Sequence, residues 1–242
     1  MSTPPLIAVA HGSRDPRSAA TMHAVVEQVA ATHPNTDVRL AFLDLSTPSV
    51  EQVIDAVAAD GHSHAIVVPL LLGSAFHARV DLPGLLAQSS ARHPRLHLTQ
   101  ADVLGPDPRL IAALRDRVQD KLFDCSRVGI AVAAVGSSSA AANARTAQVA
   151  RELATLTGLP TEICFATAEP TVLEAATRLR AHGAEEIIVA PWFLAPGLLT
   201  DRLLAATPNL THADVIGPHA ALTDIIRDRY HAALTAPLRL SA

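Results

Sequence analysis

Lysine is all but missing from this chain: Lys121 is the one lysine among 19 Lys and Arg residues. Against 23 Asp and Glu the formal charge is −4, which leaves no broad cationic face to neutralise a phosphate backbone and excludes nucleic acid as the expected partner. Aromatic residues make up 3% of the chain, too few for a base-stacking platform or a membrane-interface belt. The two cysteines, Cys125 and Cys164, lie far apart with no CxxC, which excludes a four-thiolate zinc site and an iron–sulfur cluster. No apolar run approaches the length of a membrane span, and MSTPPLIAVA at the N-terminus lacks a basic leader region. A cytoplasmic protein that neither binds nor crosses a membrane is expected. A three-glycine dinucleotide fingerprint and a P-loop lysine are also absent; GSSSAA at 136–141 resembles a phosphate cradle only weakly.

What the chain does contain is a repeat. AVAHGS at 8–13 matches AVAAVGS at 131–137, AIVVPLLL at 65–72 matches EIIVAPWFL at 186–194, and ADVLGPDPRLIAALRDR at 101–117 matches ADVIGPHAALTDIIRDR at 213–229. Three matches in one order mean two homologous halves. Each half alternates short β-branched runs with longer stretches of helical period, the pattern of βαβ units that build a parallel sheet. The reading is an α/β protein of two lobes, each a central parallel sheet flanked by helices. Strands are expected at 6–10, 38–43, 65–71 and 97–103, then near 128–134, 161–166, 186–192 and 211–216. Helices are expected near 18–32, 49–60, 78–91 and 107–121, and between and after the strands of the second half. Ser49 or Thr47 around Pro48, and Asp107 before Pro108, supply helix-capping chemistry. With 119–127 as the linker, the expected domains are an N-terminal lobe, 1–122, and a duplicated C-terminal lobe, 126–242.

Ligands of open parallel sheets sit beyond the carboxyl ends of the strands. The first three strands end in AHGSR, AFLDL and PLLLGSAFHARVD, which brings His11, Asp44 and His77 to one edge. Two imidazoles and a carboxylate on separate strand ends suit a divalent first-row metal with open coordination positions, and a neutral imidazole can equally accept a proton. Gly12 allows a sharp turn after His11, Ser13 and Arg14 offer donors, and Arg14, Arg17 and Arg79 suit carboxylates on a ligand. Blander readings stay open: a capping or core histidine, an Asx-turn aspartate at Asp44, and solvated surface arginines. His62 and His64, in DGHSHA, read as exposed loop residues at the opposite edge of the sheet.

In combination, HGSRDP at 11–16, FLDLSTPS at 42–49 and VPLLLGSAFHARVDLP at 68–83 resemble the class II tetrapyrrole chelatases of the CbiX/SirB type, the sirohydrochlorin cobalto- and ferrochelatases in their long, duplicated form. The resemblance spans the whole chain. It implies insertion of Fe²⁺ or Co²⁺ into sirohydrochlorin without ATP, in a cleft between two similar α/β lobes. The family's two histidines fall on His11 and His77, and its acidic residue falls on Asp44, where many relatives carry Glu. These three are the expected catalytic and metal-contacting residues. Gly12, Ser13, Arg14, Arg17, Ser74 and Arg79 are the expected contacts to the acidic tetrapyrrole. The metal enters as substrate, with no organic cofactor and no iron–sulfur cluster. The second half has Val135 in place of His11 and Leu199 near the position of His77, so it is expected to be catalytically silent, with Trp192 and Phe193 against the macrocycle. One chain supplies both lobes, and a monomer is expected. Two alternatives stand beside this reading: a nickel chelatase of a related pathway, and a metal- or tetrapyrrole-binding protein without turnover.

Overall fold

The computed structural model describes residues 3–73, 80–122 and 127–235. The expected alternation is present along the chain. β1 (Leu6–Ala10), α1 (Pro16–Thr32), β2 (Val38–Phe42), α2 (Val50–Ala59), β3 (His64–Pro69), α3 (Leu82–Arg92), β4 (His97–Gln100) and α4 (Pro108–Gln119) form the first repeat. β5 (Val128–Ala134), α5 (Ala140–Thr157), β6 (Thr161–Phe165), α6 (Val172–Ala181), β7 (Glu186–Pro191), α7 (Leu198–Ala206), β8 (Thr211–His212) and α8 (Ala220–Thr235) form the second.

The strands make two parallel four-stranded sheets, ordered β2-β1-β3-β4 and β6-β5-β7-β8. In each, the first strand of the repeat is central, and the connections to its two neighbours run in opposite directions. Right-handed crossovers then place the first two helices of the repeat on opposite faces of the sheet. That requirement explains the sequence: all of LIAVA in β1 and all of VGIAVAA in β5 is buried, because both faces are covered. On one face of the first sheet, Val50, Val53, Ile54 and Val57 of α2 pack with Ile7, Val9 and Val67 of the strands and Leu82 and Leu86 of α3. The spacing of the four α2 residues is that of one helical stripe. α2 begins at a capping box, in which the Ser49 side chain accepts from the Gln52 N–H and the Gln52 side chain accepts from the Ser49 N–H. α4 begins at Asp107 with Pro108 in its first turn, as the sequence suggests.

The compact units are not cut where the repeats join. One unit comprises 1–105 with 220–242, and the other comprises 106–219. α4, the last helix of the first repeat, therefore packs in the second unit against α5 and β7, whereas α8 packs in the first unit against α1, β3 and β4. Equivalent arginines fix both exchanged helices. In the first unit Arg229 of α8 donates to the carbonyls of Val103, at 2.9 Å, and Leu104, at 3.2 Å. In the second, Arg117 of α4 donates to the Ile216 carbonyl at 2.9 and 3.3 Å. Tyr230 of α8 adds a hydroxyl donated to the Pro4 carbonyl at 2.6 Å.

The expectation for His64 needs correcting. His64 is not a loop residue: it opens β3, half-buried, with its Nε2 2.9 Å from Thr99 Oγ1 and its ring 5.1 Å from that of His97. A histidine can take a strand position here because β4 supplies a hydroxyl partner.

Candidate active site

His11 is the first residue past β1 and is exposed. Its Nδ1 lies 3.2 Å from the carbonyl oxygen of Gly12. The chain turns away at once through Gly12, at φ +93°. A Cβ on Gly12 would sit 1.7 Å from the Asp44 carbonyl oxygen, so no side chain can occupy this position.

The loops that leave β1 and β2 continue to bond to one another after the strands end. Leu43 N–H donates to the Ala10 carbonyl at 2.9 Å, and Asp44 N–H donates to the His11 carbonyl at 3.0 Å. This carries His11 and Asp44 side by side beyond the sheet. The exposed Asp44 accepts the Leu45 N–H on Oδ1 at 2.8 Å. A cavity of about 220 Å³ opens at this edge, lined among the described residues by His11, Leu43, Asp44, Asp81 and Leu85. One imidazole and two carboxylates thus share an opening that two leucines also line. Among the described residues no three His, Cys, Asp or Glu side chains are gathered closely enough to cage a metal ion.

His77, Ser74 and Arg79 lie outside the described residues. Ser13 is committed to local structure: its hydroxyl accepts the Asp15 N–H at 3.0 Å, and its own N–H and carbonyl both bond to Ser46 Oγ. Arg14 is exposed, without a hydrogen bond or ion pair among the described residues. Arg17 is held by Asp15, Nε to Oδ1 at 3.0 Å and Nη2 to Oδ2 at 2.5 Å, and this pair holds the Asp15 carboxyl below its ordinary range. Asp15 also accepts the Arg17 N–H and so caps α1. Two residues escape a reading of strand ends. Asp81, directly before α3, makes no side-chain capping bond there and faces the cavity instead; its signal is an aspartate ahead of Leu-Pro at a helix start. Ser46 carries no signal, because its partner is the Ser13 backbone.

The second sheet repeats the scaffold with different side chains. Gly136 also has φ +93°, and the Val135 carbonyl accepts the Thr167 N–H at 3.0 Å, just as that of His11 accepts from Asp44. Val135 and Thr167 therefore stand where the first sheet has an imidazole and a carboxylate. The Thr167 hydroxyl turns inward and donates to the Val135 carbonyl at 2.7 Å. Trp192 is buried, and Phe193 packs against the apolar core of its unit.

Comparison with known proteins agrees with this geometry. The profile of the CbiX family matches residues 5–121 and 129–233, one match for each repeat. The sirohydrochlorin ferrochelatase of Bacillus subtilis (strain 168) is 26% identical over 234 residues, covering 93% of this chain and 89% of the relative. A sirohydrochlorin cobaltochelatase of Priestia megaterium is 24% identical over 253 residues, covering 96% and 81%. Among solved structures, SirB from Bacillus subtilis with Fe³⁺ superposes with a TM-score of 0.80 at 23% identity, covering 96% of each chain. With both repeats matched by one profile, the chain belongs to the CbiX family.

Proposed function

We propose that this protein is a sirohydrochlorin chelatase, inserting Fe²⁺ or Co²⁺ into the macrocycle without ATP. The observation that carries the reading is the cavity at the carboxyl edge of the first sheet, where His11 and Asp44 meet in a chain whose relatives are named as sirohydrochlorin ferro- and cobaltochelatases. Insertion requires that an ion shed its water, be presented to the ring nitrogens, and be exchanged for protons leaving those nitrogens. A neutral His11 imidazole would supply a lone pair for either the ion or a proton, and it is a ligand that can let go. In this reading His77 provides the second imidazole and Asp44 a compensating charge that lowers the cost of holding a dication. Arg14, with Arg79, meets substrate carboxylates at the mouth. Arg17 can join only by leaving Asp15. The first lobe carries the chemistry, and the second, with Val135 and Thr167, has none.

The test is anaerobic absorbance spectroscopy with sirohydrochlorin and Fe²⁺, Co²⁺ or Ni²⁺ in separate reactions. Multiple-turnover formation of metallated product is expected with Fe²⁺ or Co²⁺, and a fall of about a hundredfold or more in His11→Ala and in His77→Ala at unchanged folding. Stoichiometric uptake without turnover would replace the chelatase with a binding protein. Near-normal rates in both variants would remove the histidines from the chemistry.

A further inference from the structure

The loop after β2 is built differently from its counterpart after β6, and the difference lies beside the candidate site. Both loops are closed by the same backbone bond, Phe42 N–H to the Pro48 carbonyl at 2.9 Å and Phe165 N–H to the Pro170 carbonyl at 2.8 Å. The first loop holds one more residue between those ends. The extra length is taken up by a tight turn in which Ser46 N–H donates to the Asp44 carbonyl at 2.7 Å across Leu45. Leu45 has φ +59° and is the one non-glycine residue with positive φ among the described residues. A turn of this kind costs free energy and persists only where other contacts hold it. Leu45 is 49% exposed, so core packing does not hold it.

Ser46 does. Its hydroxyl accepts the Ser13 N–H at 3.1 Å and donates to the Ser13 carbonyl at 2.9 Å, tying both backbone groups of one residue with a single oxygen. The second unit satisfies the equivalent groups of Ser137 in another way: Asn143, on α5, accepts the Ser137 N–H at 2.8 Å and donates to its carbonyl at 2.8 Å. A local side chain on the following helix therefore suffices to fold this loop. On this residue the clamp crosses from one strand-end loop to the other in the first unit, whereas in the second the side-chain tie between the loops is the Thr167 hydroxyl on the Val135 carbonyl. The Ser46 clamp joins the segment that carries His11 to the segment that carries Asp44, at the expense of a strained Leu45.

We propose that Ser46 is a positioning residue for metal insertion, fixing the His11 loop against the Asp44 loop so that imidazole and carboxylate face the same ion. This rests on the chelatase reading for its kinetic consequence but not for its structural one. An untied loop still binds substrate, whereas the reacting groups spend less time aligned; the loss therefore falls on kcat rather than on KM.

The experiment compares Ser46→Ala, Ser46→Thr, Ser46→Cys and Asn143→Ala with the natural protein. Two measurements are made on each: steady-state Co²⁺ insertion into sirohydrochlorin, and ¹³C relaxation of the His11 Cε1–H group in the metal-free protein. Ser46→Ala is expected to lower kcat about tenfold or more with KM within about twofold, and to raise the mobility of the His11 ring. Ser46→Thr, which keeps both bonds, is expected within about threefold of the natural rate, and Asn143→Ala likewise. Should Ser46→Ala fail to fold, Ser46→Cys gives the same reading, because a thiol is too weak to sustain both bonds. An unchanged kcat with an unchanged His11 ring in Ser46→Ala, or an equal loss in Asn143→Ala, would overturn the proposal while leaving the chelatase in place. If the natural protein inserts no metal, the functional reading falls, and the mobility of His11 alone decides whether the clamp positions it.

Discussion

The carbonyl oxygen of Asp44 occupies the place that a Cβ on Gly12 would need, with only 1.7 Å between them. Gly136, its counterpart, is less confined: a Cβ there would meet Phe165 Cβ and Thr167 Oγ1 at 3.0 Å. Both glycines have positive φ, so alanine costs about 1–2 kcal/mol at either position from conformation alone. Gly12→Ala must in addition push the Asp44 loop aside, for a total of about 2–4 kcal/mol. Urea unfolding of the two variants checks this, and equal losses would mean that the loops separate freely.

Cys164 is fully buried, its thiol donating to the Val132 carbonyl at 3.4 Å, and burial pushes its pKa up to about 12. Little thiolate forms at pH 8, and reagent has no path to it. In a Cys125→Ser background, the native protein is expected to resist a thiol reagent and to react fully in denaturing urea. Rapid native labelling would show that β6 opens readily.

Burial, helped by the neighbouring His97, holds the pKa of His64 below its ordinary 6.5, and burial does the same to His212. The unfolded chain thus takes up protons more readily than the folded one. The contribution of these groups is intact above about pH 6.5 and is lost as the pH falls through the lowered values. The urea midpoint is expected to drop between pH 7 and pH 5, and to drop less in His64→Gln. An identical pH profile in that variant would assign the acid sensitivity elsewhere.

Arg229 holds two carbonyls of the segment after β4 with one guanidinium, which a lysine cannot reproduce. Arg229→Lys and Arg117→Lys are each expected to cost about 1–2 kcal/mol in urea unfolding, and the alanine variants more. Indifference to all four changes would mean that water replaces these bonds without loss.

Most of the fold was legible because buried parallel strands write themselves as unbroken apolar runs. The errors of length have one cause. Expected strands reach Leu43, Leu71, Val103 and Ile216, whereas the ladders stop at Phe42, Pro69, Gln100 and His212. The apolar residues continue because the chain keeps bonding singly past the ladder, as in Leu104 N–H to the Leu71 carbonyl and Ile216 N–H to the Phe193 carbonyl. Of the site, His11, Gly12 and Asp44 could be placed from strand ends alone. Ser46 could not, since a bond to backbone leaves no mark in the partner's identity. Nor could the destination of α4 and α8: an apolar stripe such as Leu110, Ile111, Leu114 and Val118 records that a helix is buried, not against which sheet.

That destination changes what half of this molecule means. A chain severed between α4 and β5 would leave an N-terminal piece whose own last helix is shaped for another sheet and whose own sheet awaits a helix it does not encode. Such a piece is unsatisfied alone, since its helix lacks the sheet it packs on and its sheet lacks the helix that covers it. The gene is thus a tandem of two similar messages, while the folded object is a mutual loan between them. A substitution in α8 is expected to be felt first in the sheet that holds His11, more than 200 residues away along the chain.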